Sequence, residues 1–262
     1  MVLWGGRHWH VESAAVQMVG ETTLISLSRL LALRRKLDVS ANNVANSGTV
    51  GFRAQSVSFQ EHLKPEKVEV GVKPERPLSL VDVPFGFANP ITGAFRVTGN
   101  PFDLAVQGNS YFVIQTPQGQ RYTRDGSFNL DDKGRIVTLA GHPVLGEGGP
   151  IIVRSQDGPV GIDSVGRLST IKGEIGSLRL VNFGPTANLQ IIGGNLYQAD
   201  QAPIGKSPDT KVLQGMLEQS NVNPTVEMSR IIEITRSYEA ASKILKDSQD
   251  PSELNKLAYV PD

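Results

Sequence analysis

The sequence contains no cysteine. Disulfides, zinc–thiolate sites and cysteine nucleophiles are therefore excluded, and packing and assembly must hold the fold. Net charge is absent too. Twenty-six basic residues balance 26 acidic ones, which removes the electrostatic argument for nucleic acid or an anionic membrane as partner. No stretch approaches the ~20 apolar residues that span a bilayer, so no membrane insertion is expected. Residues 1–17, with Trp4, Arg7, His8, Trp9, His10 and Glu12, lack the continuous apolar core of a cleavable secretory signal. Histidine is scarce at four: His8 and His10 near the start, His62 in a proline-rich stretch and His142 in a Gly-His-Pro turn. Neither a Gly-x-Ser-x-Gly elbow nor a His-Glu-x-x-His helix occurs.

Weaker chemical signals also favour the plain reading. Gly205-Lys206-Ser207 resembles the end of a phosphate loop, but Asp200 stands where its first glycine belongs and Pro208 where its helix must begin. Asp131-Asp132 precedes a hairpin glycine, where aspartate serves the turn. Tyr122, Arg124 and Phe128 mix aromatic and basic residues in too short a stripe for single-stranded nucleic acid, and read as core aromatics beside a surface arginine. No catalytic, cofactor-binding or metal site is expected, and the chain does not read as an enzyme.

What is present is helical periodicity at both ends. Leu24, Leu27, Leu30, Leu33, Leu37, Ala41 and Val44 recur at spacings of three and four, as do Met228, Ile231, Ile234, Tyr238, Ala241 and Leu245. Such spacing lays one apolar stripe along each of two helices. The first is expected over residues 23–46, stopped by Asn42-Asn43-Val44-Ala45-Asn46-Ser47-Gly48, with Phe52 as an anchor beyond it. The second opens on Asn223 as N-cap and Pro224 at the first helical position, with Glu227 in the first turn, and closes before Asp250-Pro251. Between them, Pro65, Pro74, Pro77, Pro84 and Pro90 suggest an extended connector with one short strand. From Gly93 onward, short apolar runs alternate with turns in the manner of an all-β domain.

The expected fold class is α+β, with the N- and C-terminal helices paired as a coiled-coil-like stem around a central all-β domain. Residues 1–20 read as a disordered extension, 21–60 and 211–250 as the discontinuous stem, 61–92 as the connector, 93–210 as the β-rich body and 251–262 as a tail. Leu31 and Ile232 widen the two stripes beyond one seam, more than a helix pair can cover. An assembly interface is therefore expected at Leu30, Leu33, Leu37, Val44, Asn42, Asn43, Asn46, Ile231, Ile234, Tyr238 and Leu245.

Four motifs carry a resemblance. Leu37-Asp38-Val39-Ser40-Ala41-Asn42-Asn43-Val44-Ala45-Asn46 through Gly51-Phe52-Arg53 is the first, and Thr98-Gly99-Asn100-Pro101-Phe102-Asp103-Leu104-Ala105-Val106-Gln107-Gly108 the second. Tyr122-Thr123-Arg124-Asp125-Gly126-Ser127-Phe128 is the third, and Leu217-Glu218-Gln219-Ser220-Asn221-Val222-Asn223 with Arg236-Ser237-Tyr238-Glu239 the fourth. In type and order they are similar to the signatures of bacterial flagellar rod and hook proteins. Two positions depart: the family often has glycine where Ser110 stands and lysine where Arg53 stands. The short segment after Phe59 and the tail past Gln249 make the chain most similar to the family's proximal-rod branch, with a distal-rod or hook paralogue as alternative.

The resemblance implies a structural axial subunit of the basal-body rod that crosses the periplasm. Such a subunit is exported through the flagellar type III apparatus and polymerises helically, with copies of itself and other rod proteins, into a hollow drive shaft. It implies terminal helices lining the tube and a β domain outside. Two other classes stay open on the residues alone. One is a secreted β-domain binding protein or enzyme, which a cleft of convergent polar groups would favour; the other is a coiled-coil adaptor, which would need neither the asparagine turn nor a large β body.

Overall fold

The computed structural model describes residues 8–57, 60–64, 78–82, 87–88, 91–184 and 187–248; the expected tail, 251–262, lies outside them. The chain is α+β, with an N-terminal helix α1 (His8–Ala45), a β-rich region and a C-terminal helix α2 (Pro224–Ser248). α2 begins where its cap places it: Asn223 Oδ1 accepts the backbone N–H of Thr225 at 3.1 Å and of Val226 at 3.3 Å. α1 begins well before residue 23, so residues 8–20 are helical rather than a disordered extension. Val11, Ala14, Ala15, Met18 and Val19 recur at helical spacing, most residues here are fair helix formers and no proline interrupts them, so the helix extends back through this segment.

Two compact units divide the chain. The first contains Met1–Ala41, Val57–Gly86 and Met228–Asp262. Within it, Leu30, Ala32 and Val39 of α1 and Ile234 and Ala241 of α2 are buried. Part of the expected connector is an antiparallel hairpin here, Gln60–Lys64 with Leu78–Asp82, His62 opposite Leu80. Pro65, Pro74 and Pro77 lie in sequence between the paired segments and not within them, so the proline count did not forbid strands.

The second unit contains Asn42–Ser56 and Phe87–Glu227. Its centre is a six-stranded antiparallel sheet in the order Leu189–Ile191, Leu196–Ala199, Gly119–Thr123, Tyr111–Thr116, Leu180–Asn182, Ile204–Gly205. Along Tyr111–Thr116 successive side chains face opposite sides. Phe112 and Ile114 enter the main core with Leu104, Val106, Phe128, Ile136, Leu168 and Leu180, while Tyr111 and Val113 enter a second cluster with Tyr122, Val181 and Tyr197. Edge-to-face ring pairs tighten both, Phe112–Phe128 at 5.1 Å and Tyr122–Phe183 at 4.8 Å.

The stem boundary at residue 211 is corrected by the strand pairing. Lys211–Gln214 pairs with Leu104–Gln107 and Met216–Glu218 pairs with Phe95–Val97, so 211–218 belong to the β body. The helical period starts only at Pro224. Leu104–Gln107 and Tyr111–Thr116, which flank Gly108-Asn109 like the arms of a hairpin, do not pair with each other; each has another partner.

Candidate functional site

The site is a buried polar junction in the second unit, built where four distant segments meet. The first is the turn after α1. Asn46 N–H returns to Asn42 C=O at 3.1 Å, closing the helix. Asn43, fully buried, uses its side-chain amide like a strand: it donates to Gln55 C=O at 2.9 Å and accepts from Gln55 N–H at 2.8 Å. The chain reverses between these two points. Gly51 then adopts φ 67°, and a Cβ there would lie 2.5 Å from the carbonyl carbon of Arg124. That close approach lets Gly51 N–H reach Glu218 C=O at 2.7 Å.

Arg124 is the centre. It is 0 % exposed, not the surface arginine expected from the sequence. Its burial is possible because the guanidinium meets a full set of acceptors. Nε donates to Glu218 Oε2 at 2.9 Å, Nη2 lies 2.8 Å from the same oxygen in an ion pair and donates to Val106 C=O at 2.8 Å, and Nη1 donates to the carbonyls of Gly108, at 2.8 Å, and Ser110. The segment 106–110 therefore wraps a cation, which accounts for its failure to close as a hairpin. Burial lowers the Arg124 pKa most, the charge of Arg53 adds to this, and Glu218 opposes both; the guanidinium stays a cation.

Glu218, 1 % exposed, accepts Gly93 N–H through Oε1 at 3.2 Å, and the same oxygen lies 3.9 Å from Arg53 Nη2. Arg53 is 2 % exposed and touches the Tyr111 hydroxyl through Nη1 at 3.5 Å. Both guanidinium carbons sit 5.7 Å from the Tyr111 ring centre. Two buried cations thus share one carboxylate. Arg53 Nε and Nη2 have no hydrogen-bond partner among the described residues. Burial pushes the Tyr197 phenol upward and the Tyr111 hydroxyl adds to that, while Arg53 and Arg124 pull it down.

Three further residues lock the junction, and sequence reasoning gave them no such role. Asn221 Oδ1 accepts Ala54 N–H and its Nδ2 donates to Ile91 C=O, both at 2.6 Å. Asn195, at φ 55°, donates through Nδ2 to Val50 C=O at 2.8 Å and accepts Thr123 Oγ1 at 2.9 Å on its own carbonyl. The Gly193-Gly194-Asn195 run is a composition that tolerates left-handed backbone and could have flagged it. Ser110 explains its own departure from the family pattern: its buried hydroxyl bonds Thr210 Oγ1 at 2.6 Å and accepts Ser207 N–H at 3.2 Å.

The proposed interface residues lie in two groups. Leu30, Leu33 and Leu37 of α1 and Ile231, Ile234, Tyr238 and Leu245 of α2 fall in the first unit, while Asn42, Asn43, Val44 and Asn46 fall in the second. Leu30 and Ile234 are buried, Leu33, Leu37 and Val44 half-buried like Ile231 and Leu245, and Tyr238 and Asn42 exposed. Beside them Leu31 is 58 % exposed and Ile232 55 %, with Ile25, Leu27, Met228 and Ile244 also exposed.

Among the described residues no group of three or more candidate metal ligands occurs, and no helix is long and apolar enough to cross a membrane. Ile204–Gly205 is an edge strand and Lys206 Nζ donates to Val165 C=O at 3.0 Å, which is not a phosphate loop. The buried junction holds segments together; Arg124 and Glu218 are spent on one another and on backbone.

Three families match the chain in succession. Residues 24–53 match "Flagella basal body rod protein", 105–174 "Flagellar hook protein FlgE/F/G D1 domain" and 213–253 "Flagellar basal body rod FlgEFG protein C-terminal". Arg53, Arg124 and Glu218 come one from each. The chain is similar to "Flagellar basal-body rod protein FlgF" of Mesorhizobium japonicum, 35 % identical over 236 residues, 89 % of this chain and 95 % of the relative. The same-named protein of Caulobacter vibrioides is 37 % identical over 232 residues, 87 % and 93 %. "Flagellar basal-body rod protein FlgG" of Bacillus subtilis is 32 % identical over 249 residues, 86 % and 93 %.

Proposed function

Because the chain belongs to the flagellar basal-body rod protein family, we propose that its terminal helices are the surfaces through which it is built into the rod. The chain is a structural rod subunit located in the flagellar basal body. In this reading α1 and α2 pair as a coiled-coil-like stem, the stem contacts copies of this chain and other rod proteins, and the β body stands outside it. Delivery is through the flagellar type III export apparatus. The relatives named FlgF above reach 35 and 37 % identity against 32 % for the FlgG relative, which favours the proximal-rod position.

One observation carries the reading. Each helix buries apolar residues on one side, Leu30 on α1 and Ile234 on α2, yet leaves others exposed, Leu31 and Ile232. A two-helix stem covers one seam per helix. Heterologous contacts that do not close on themselves use the remainder and generate a helical filament.

The test is motility in a strain lacking the protein, complemented with Leu31→Asp or Ile232→Asp. A carboxylate buried without a partner costs several kcal/mol, so either variant should abolish swimming while circular dichroism retains the β signal. Arg34→Ala, an exposed position, should swim. If both aspartate variants swim like the parent, the helices are not the assembly surface.

A further inference from the structure

We propose that the buried junction encloses one small monovalent anion, of the halide class, on the Nε–Nη2 edge of Arg53. All the residues concerned lie in the second unit, and the proposal is independent of how the subunit is assembled.

Arg53 and Arg124 bring the same group to the junction, and the chain satisfies only one of them. The Nε–H and one Nη2–H of a guanidinium point the same way, so that one acceptor can take both. In Arg124 this edge meets Glu218 Oε2, with Nε at 2.9 Å and Nη2 at 2.8 Å. In Arg53 the same two nitrogens are buried and have no hydrogen-bond partner among the described residues. Its other contacts are long, 3.5 Å from Nη1 to the Tyr111 hydroxyl and 3.9 Å from Nη2 to Glu218 Oε1. A buried donor without an acceptor is costly, more so when charged, and native folds answer it with a water or an ion.

Charge decides between the two. Arg53 and Arg124 against Glu218, two cations against one carboxylate, leave one positive charge. The ionic side chains that bear on the neighbouring Tyr197 phenol are these same three, and burial pushes that phenol upward, so it stays neutral and offsets nothing. A water would accept the two N–H groups but leave the charge, which is the larger cost in a site of low dielectric. A halide answers both. Its single charge equals the surplus, and its single atom needs only the one edge. Sulfate or phosphate would bring further oxygens and charge, and a carboxylate on another polypeptide does not reach two nitrogens enclosed within the unit.

Arginine rather than lysine is what makes the site. Lysine, which the family often carries where Arg53 stands, keeps the charge but has no pair of parallel N–H groups. The anion site therefore follows from this chain's own departure from that pattern.

The test is urea unfolding of the full chain, followed by the β signal in circular dichroism, in sodium chloride or bromide against sodium sulfate at equal ionic strength. The general salt effect runs the other way, since sulfate stabilises folded proteins. A bound anion multiplies the folding constant by one plus its concentration over Kd. The parent's folding constant should be about fivefold or more higher in ~100 mM halide than in sulfate, and should level off as halide is added, as a single site does. That gain should vanish in Arg53→Met and in Arg53→Lys, while in sulfate Arg53→Lys should fold nearly as well as the parent. Crystals grown in bromide should show an anomalous peak at the Nε–Nη2 edge of Arg53. A parent no more stable in halide than in sulfate overturns the proposal, as does a halide gain that survives both substitutions. A water at that edge, with no anomalous signal, overturns it equally. If Arg53→Met fails to fold, Arg53→Lys and the bromide peak decide.

Discussion

Glu218→Gln tests the buried junction most sharply. The substitution keeps size and shape but removes the one carboxylate between two cations that are 0 % and 2 % exposed. Arg124 would retain its carbonyl partners at Val106, Gly108 and Ser110 but lose the two contacts to Oε2 that carry opposing charge. Removing one member of a buried ion pair costs about 3–5 kcal/mol, because the remaining charge is left without compensation. Here two such charges remain, so the upper part of that range applies. Against a typical total stability of ~5–15 kcal/mol this is a large fraction, and it corresponds to a fall in Tm on the order of 10 °C for a unit of this size. Urea and thermal unfolding followed by circular dichroism read the change. Arg53→Met combined with Glu218→Gln removes one uncompensated cation and should recover at least about 1 kcal/mol of the loss. Arg53→Lys alone should be mild, within about 1 kcal/mol, since Nε and Nη2 make no hydrogen bond among the described residues and an ammonium keeps the charge that faces Glu218. A Glu218→Gln loss below about 1 kcal/mol, with no coupling to Arg53, would refute the charge argument.

Gly51→Ala should destabilise the second unit by more than about 2 kcal/mol, because φ 67° and a Cβ 2.5 Å from Arg124 backbone must both be accommodated; a urea midpoint matching the parent would contradict this. Burial raises the Asp125 pKa, and the nearby Asp103 charge adds to it, while hydrogen bonds from Ser127 oppose it. The folded state therefore holds that proton more tightly than the unfolded state. The corresponding stability is fully present below pH 3.8 and is lost as pH rises from there through the higher folded value. Unfolding free energies at a series of pH values should fall less steeply across that window in Asp125→Asn, and an unchanged slope would exclude Asp125 as the source.

Much of the architecture was legible in the sequence, for identifiable reasons. Asn223-Pro224 fixed the start of α2 through cap chemistry that acts locally. The Asp131–Gly134 turn likewise formed between paired strands, with Asp131 Oδ1 accepting Arg135 N–H at 2.8 Å. What could not be read was set by distant partners. Leu104–Gln107 looks like a hairpin arm, yet it pairs across more than a hundred positions with Lys211–Gln214, because Arg124 occupies the turn that would have closed the hairpin. Arg124 itself looked like a surface residue, since its carbonyl cage comes from 106–110 and its carboxylate from 218. The early start of α1 was legible as well, since Val11, Ala14, Ala15, Met18 and Val19 already carry the helical spacing, but the Trp- and His-rich lead before them masks it. The motifs flagging Arg53, Arg124 and Glu218 were visible as strings; that they converge on one point belongs to the fold alone.

The central claim is that the terminal helices are held by assembly. Hydrogen exchange tests it most directly, comparing the purified monomer with intact basal bodies. Isolated helices are marginal in water and depend on packing for protection. The account predicts fast exchange over residues 25–45 and 226–246 in the monomer and strong protection of the same segments in the basal body. The strands Tyr111–Thr116 and Leu180–Asn182 should be protected in both. Equal protection of both helices in a proven monomer and in the assembled rod would contradict it.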